Sequence, residues 1–235
     1  MHVGIEDRSR RSLGLSLATL SVAIVAAAAG CGAAGCGASA DTTDLRASVA
    51  SAPSDAGADA PGVAVAGGEA LCTGTLISPR LVLTARHCVS RTVETVVCPP
   101  RGVQILAPRD PRGLAVLVGD DVATAHRVAH GVEVLAPSGV TLCDADVALV
   151  LLDTPVKIVK PLAVRSRGVA RGDRVRAVGF GRNELGVAGI KLVREHVKVL
   201  SVSPAEFTVG EATCQGDSGG PALDEDTGEV VGVVS

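Results

Sequence analysis

The chain has 235 residues, of which 47% are hydrophobic, and carries a net charge of −3 with a pI near 5.9. That length and apolar content suffice to bury one sizeable core, which excludes disorder throughout. No dense Lys/Arg block follows Arg11, which excludes a nucleic-acid-binding or polybasic membrane surface, so no polyanionic partner is expected.

At the N-terminus, Arg8, Arg10 and Arg11 precede an uncharged run from Ser12 to Gly30. A basic segment followed by an apolar one reads as a secretory signal over residues 1–30. A membrane-spanning helix is the rival, but the run is near the lower length limit and rich in small residues. SRRSLGL, Ser9 to Leu15, also has a weak twin-arginine pattern. The apolar run ends in AAGC, Ala28 to Cys31. This resembles the bacterial lipobox, with Ala28 where Leu is usual. Lipidation of Cys31 and ordinary signal cleavage near the Ala-rich stretch are both left open.

From residue 31 to residue 60 the chain is Ala, Gly, Ser and Asp with hardly a large apolar side chain. Such a segment cannot offset the entropy of ordering, and reads as a flexible linker or pro-segment. Beyond Pro61 the texture changes to short runs broken by Gly, Pro and Asp: GVAVAG, GTLIS, RLVLTA, DVALVLL, DRVRAVGFG and EVVGVVS. These read as strands between turns, and their spacing predicts an all-β sandwich or barrel. Only Phe180 and Phe207 are aromatic, so the core must be built from Val, Leu, Ile and Ala.

Seven cysteines stand at 31, 36, 72, 88, 98, 143 and 214 without a CxxC pair. Disulfides in an oxidising compartment fit that spacing better than zinc or thioredoxin chemistry.

CQGDSGGP, Cys214 to Pro221, carries the strongest chemical signal. Ser218 lies in a glycine-rich loop whose Gly216 and Ser218 N–H groups could stabilise a developing oxyanion. A serine hydroxyl is a weak nucleophile and needs a base. Histidines occur at 2, 87, 126, 130 and 196. His87 stands out because it follows the apolar run RLVLTA and directly precedes Cys88. A base must be held in one tautomer by a buried acceptor, and CDADVALVLLD offers Asp146 and Asp144. Read as part of a strand, the two point the same way, so alternation does not separate them. His126 and His130 could make a metal pair only on a helix, and HRVAHG reads as a loop with solvated histidines. No metal site is expected.

The segments TLISPRLVLTARHC, DVALVLL and CQGDSGGP, in that order, resemble the histidine, aspartate and serine boxes of the trypsin/chymotrypsin family of serine proteases. The resemblance covers about 61–235, and GFG at Gly179 to Gly181 is similar to the family's Gly-aromatic-Gly turn. It implies two six-stranded antiparallel β-barrels with a catalytic cleft between them. It selects Asp146 as the partner of His87 and Ser218, and it implies endopeptidase activity on proteins or peptides without a cofactor. A catalytically silent binding module of the same fold is the alternative. The histidine-loop disulfide would join Cys72 to Cys88. Cys98 and Cys143 are expected to pair because each falls near the implied barrel edge, although the family does not dictate it. Cys214 would bond to a cysteine further downstream.

Three departures accompany the resemblance. The strand VVGVVS ends the sequence, so the second barrel is expected to be incomplete, with an exposed edge. No Ile-Val-Gly-Gly start is present; Arg46 is the nearest candidate for activation cleavage, and Asp217 stands where the family pairs an aspartate with the new N-terminus. Ala212 occupies the floor of the specificity pocket, where trypsin-like enzymes have Asp, which favours small or apolar side chains over Arg or Lys. The expected location is secreted, periplasmic or cell-envelope, with membrane attachment only through a lipid anchor.

Overall fold

The structure is a computed structural model that describes residues 23–27, 62–67, 70–183, 185–210 and 212–235. Its described residues form strands and two short 3₁₀ turns, Arg86–Val89 and Pro111–Gly113. The apolar runs of the sequence become strands because β-branched side chains, abundant here, pack well on a pleated surface.

The first barrel contains β2 (Gly62–Gly67), β3 (Ala70–Ser78), β4 (Leu81–Thr84), β7 (Leu114–Val118), β8 (His126–Leu135) and β9 (Ala148–Leu152). It closes in the order β2-β3-β4-β9-β8-β7, with every neighbouring pair antiparallel. Val63, Leu76, Val82, Val116, Val150 and Leu152 are fully buried and share its inner face. A separate hairpin, β5 (Ser90–Thr92) with β6 (Ile105–Pro108), stands outside the barrel.

Five antiparallel strands make the second sheet: β10 (Arg174–Gly179), β11 (Leu192–Val202), β12 (Glu206–Val209), β13 (Pro221–Asp224) and β14 (Val230–Val234). The five strands alone would leave β12 and β14 as open edges. The sixth place is taken by β1 (Ala23–Ala27), which runs parallel to both neighbours. Val25 is in register with Phe207 on one side and Val234 on the other. These five strands are the incomplete antiparallel barrel expected from the sequence, and β1, from the apolar run assigned to the leader, lies between its two edges. The backbone groups of an open edge need partners, and β1 pairs with both edges.

The two barrels meet along an apolar interface. Val178, Leu223, Val230 and Val233 of the second sheet join the hydrophobic cluster of the first. Both phenylalanines are fully buried, Phe207 in the second core and Phe180 just after β10.

One expectation is corrected. His126 and His130 lie on β8, not in a loop. Four residues along a strand separate two positions by about 13 Å, too far for one metal ion.

Candidate active site

His87 sits in the 3₁₀ turn Arg86–Val89, immediately after β4. This turn is locked from below by the disulfide Cys72–Cys88, with Cα atoms 6.1 Å apart, which ties it to β3. Asp146 lies two residues before β9, which pairs directly with β4. The register Thr84↔Ala148 brings the ends of these two strands together, and hence the histidine and the carboxylate.

Asp146 Oδ2 is 2.6 Å from His87 Nδ1, and Oδ1 accepts the His87 backbone N–H at 2.8 Å. The same carboxylate accepts a third bond, from Ser235 Oγ at 2.6 Å. Asp146 is 3% exposed. Burial pushes its carboxyl up, but the hydrogen bonds from His87 and Ser235 and the His87 charge outweigh it, holding the group below the usual carboxylate range. An anion of this kind fixes the imidazole ring and its tautomer, with the proton on Nδ1 and Nε2 left as the acceptor.

Asp144 does not share this arrangement. Residues 143–145 form a turn in which Ala145 N–H donates to Leu142 C=O, and Asp144 adopts φ 59° on the exposed side. Strand alternation does not apply to a turn, which is why that rule left the pair unresolved.

Ser218 reaches the same region from the second barrel. Its backbone carbonyl accepts Thr73 N–H of β3 at 2.8 Å and lies 3.6 Å from Cys88 Sγ, beside His87. Thr73 is the hub of this contact. Its hydroxyl accepts Phe180 N–H at 3.1 Å and donates to Gly216 C=O at 2.9 Å, while its own carbonyl accepts the Thr84 hydroxyl at 2.8 Å. With the carbonyls of Gly216 and Ser218 anchored on the first barrel, their N–H groups donate to nothing among the described residues. Gly216 has φ +105°, a conformation that glycine adopts without strain.

Asp217 shapes the other side of the loop. Its carboxylate accepts Gly181 N–H and Cys214 N–H, each at 2.8 Å. The GFG motif is the seat for this group: a Cβ on Gly181 would lie 2.5 Å from Asp217 Cγ. Loss of water around the carboxyl raises its pKa, more than the two N–H bonds and the charge of Arg194 lower it. The folded protein therefore holds this proton to higher pH than the unfolded chain does. Its stabilising contribution is full below about pH 4, the unfolded carboxylate value, and is lost as pH rises through the raised folded value. Asp217→Asn cannot titrate. The difference in thermal midpoint, parent minus variant, is expected to fall as pH rises across that window and then level off; a constant difference would contradict this reading.

Ala212 is buried beside Asp217 and, with Ala177, Leu192 and Arg194, lines a small hollow behind the loop. A second disulfide, Cys98–Cys143, has Cα atoms 5.7 Å apart and ties the segment after β5 to the one before Asp146. Cys214 is also disulfide-bonded. Cys31 and Arg46 lie outside the described residues. A ring nitrogen of His87 lies within 4.8 Å of the Cys72 and Cys88 sulfurs, but sulfurs joined to each other offer no thiolate to a metal.

The comparison that decides the family is the match of residues 51–235 to the family model described as Trypsin. The chain belongs to the trypsin family. It is 31% identical over 180 residues to human granzyme M, a match that covers 66% of this chain and 65% of the relative. It is 29% identical over 180 residues to serine protease SP24D of Anopheles gambiae, covering 68% and 61%. The trypsin-family chain thus matches slightly less than two thirds of the length of each of these relatives. Among solved structures it resembles a Glu endopeptidase in complex with MPD, with TM-score 0.53 and 22% identity, covering 74% of this chain and 78% of the other. That last likeness speaks for the two-barrel fold. The disulfides fit an oxidising compartment, and no helix among the described residues is long and apolar enough to cross a membrane.

Sequence reading missed Ser235, Thr73 and Thr84. Each is one small hydroxyl residue at or beside an apolar strand, and only tertiary structure shows that its oxygen has a designated partner.

Proposed function

We propose that this trypsin-family chain is a serine endopeptidase that cleaves peptide bonds through an acyl-enzyme on Ser218. The observation that carries the reading is the buried Asp146 carboxylate, 2.6 Å from His87 Nδ1, beside the loop that presents Ser218. A buried acid bonded to one imidazole nitrogen leaves the other nitrogen as a base for a neighbouring hydroxyl.

In this mechanism His87 Nε2 takes the Ser218 Oγ proton as the oxygen attacks the scissile carbonyl. Asp146 stays ionised and stabilises the imidazolium. The Gly216 and Ser218 N–H groups receive the oxyanion. His87 then returns the proton to the leaving amine, and the same residues repeat the sequence with water to release the acid. No cofactor takes part. Ser235 adds a third hydrogen bond to Asp146 that favours its ionised form.

Ala212 brings no charge to the pocket floor, so the reading assigns a preference for small or apolar side chains ahead of the cleaved bond. Residues 1–30 act as the export signal, so the pairing of β1 belongs to the unprocessed chain, and Cys31 is the point of lipid attachment if the AAGC sequence is processed as a lipobox. The working location is outside the cytoplasm.

The test is digestion of an unstructured protein by parent and Ser218→Ala, with the new termini read by mass spectrometry. Cleavage by the parent alone, with at least about a thousandfold loss in the variant, is expected. Equal cleavage, or none by folded parent, would favour the silent binding module.

A further inference from the structure

Arg86 lies beside His87 in sequence, yet it is 7% exposed, buried more deeply than an arginine on a surface turn. Its guanidinium donates to two backbone carbonyls, Gly139 at 2.7 Å through Nη2 and Thr141 at 3.3 Å through Nη1. Those carbonyls belong to the strap 139–146, which has no regular structure of its own and ends at Asp146.

The carbonyl between them faces the other way. Val140 C=O accepts the backbone N–H groups of Gln104 and Ile105 at 2.8 and 2.9 Å. Buried Gln104 also accepts Leu142 N–H at 2.8 Å and donates to Val97 C=O at 2.7 Å. Three successive carbonyls are therefore held alternately by Arg86 and by the Gln104–Ile105 backbone. Besides the Asp146 carboxylate itself, the Arg86 guanidinium is what ties the strap to the turn that carries His87 among the described residues. Burying a guanidinium costs free energy unless its hydrogens are bonded and a counter-charge is near. Asp146 is that counter-charge.

We propose that Arg86 is a positioning residue of the reaction: it clamps the 139–146 strap to the histidine turn and so sets the orientation of Asp146 against His87. The inference rests on the proposed peptidase function. Arg86 touches neither substrate nor the reacting atoms, and its effect must pass through Asp146.

A double-mutant cycle on the full chain tests this. Arg86→Met is expected to lower kcat about 10- to 100-fold with KM within about twofold, because a loosened acceptor misorients the base without altering the substrate site. In an Asp146→Asn background the same substitution should change kcat by less than about threefold, since groups that act as a unit are not additive. Equal losses in both backgrounds, or a loss carried by KM, would overturn the proposal. Should Arg86→Met fail to give folded protein, Arg86→Lys replaces it; the lysine keeps the charge and can reach one carbonyl. Its smaller loss is again expected only when Asp146 is present, and a loss that persists in the Asp146→Asn background overturns the clamp. If Asp146→Asn alone leaves kcat at the parental level, the peptidase mechanism itself fails, and this inference with it.

Discussion

Replacing His87 by alanine is expected to lower kcat on the order of 10⁵-fold while leaving the fold intact, because the base is the one group able to move the Ser218 proton in both half-reactions. The side chain is 28% exposed and its bonds go to Asp146 and not to the core. The backbone N–H at position 87 still donates to Asp146 Oδ1 in the variant, so the carboxylate keeps that partner and the Ser235 hydroxyl. Thermal midpoints of parent and variant should therefore lie close together. A variant that retains more than about 1% of parental kcat would show that another group acts as base.

The second large effect is structural. Gly219→Ala is expected to destabilise the protein by more than about 4 kcal/mol, a large share of the stability of a typical domain. Gly219 has φ +85°, and a Cβ there would lie 2.2 Å from Thr73 C=O and 2.1 Å from Thr84 Oγ1. The carbonyl belongs to a strand of the closed first barrel and cannot swing aside. Relief would require the loop around Ser218 to lift away from β3, breaking the Thr73 bonds to Gly216 and Ser218. Urea unfolding is the measurement, with Gly113→Ala as the control. Nothing lies within 4 Å of a Cβ at Gly113, so that change should cost less than about 0.5 kcal/mol. Similar midpoints for the two variants would show that the loop is not pressed against the first barrel.

These two predictions also mark what could be read in the sequence and what could not. His87, Ser218 and the glycines around it stood out because the chemistry calls for those residue types, while their order came from the family resemblance. Asp146 needed the resemblance to the family, since a strand rule was applied to residues 143–145 that form a turn. The strands β2, β3, β4, β9, β10 and β14 were visible as Val/Leu runs, whereas β7, β11, β12 and β13 were not singled out and β8 was misread at HRVAHG, where two histidines masked a ten-residue strand.

Other features carried no local signal. Arg86 looks like any polar residue between Ala85 and His87 until the strap 139–146 is folded over it. Thr73 and Thr84 are ordinary strand residues whose meaning is a contact between barrels. The pairing of Ala23–Ala27 with Glu206–Val209 joins the two ends of the chain. A short apolar run gives the same composition whether it serves as a leader or as a strand, so periodicity could not reveal the second role.

The central claim is that Ser218 is an activated nucleophile. The most direct measurement is the intact mass of the full chain after reaction with a fluorophosphonate, beside Ser218→Ala, because rapid addition needs the base and the oxyanion donors together. One adduct on the parent and none on the variant is the predicted result. Folded parent that takes up no adduct, or a variant that takes up the same one, would contradict it.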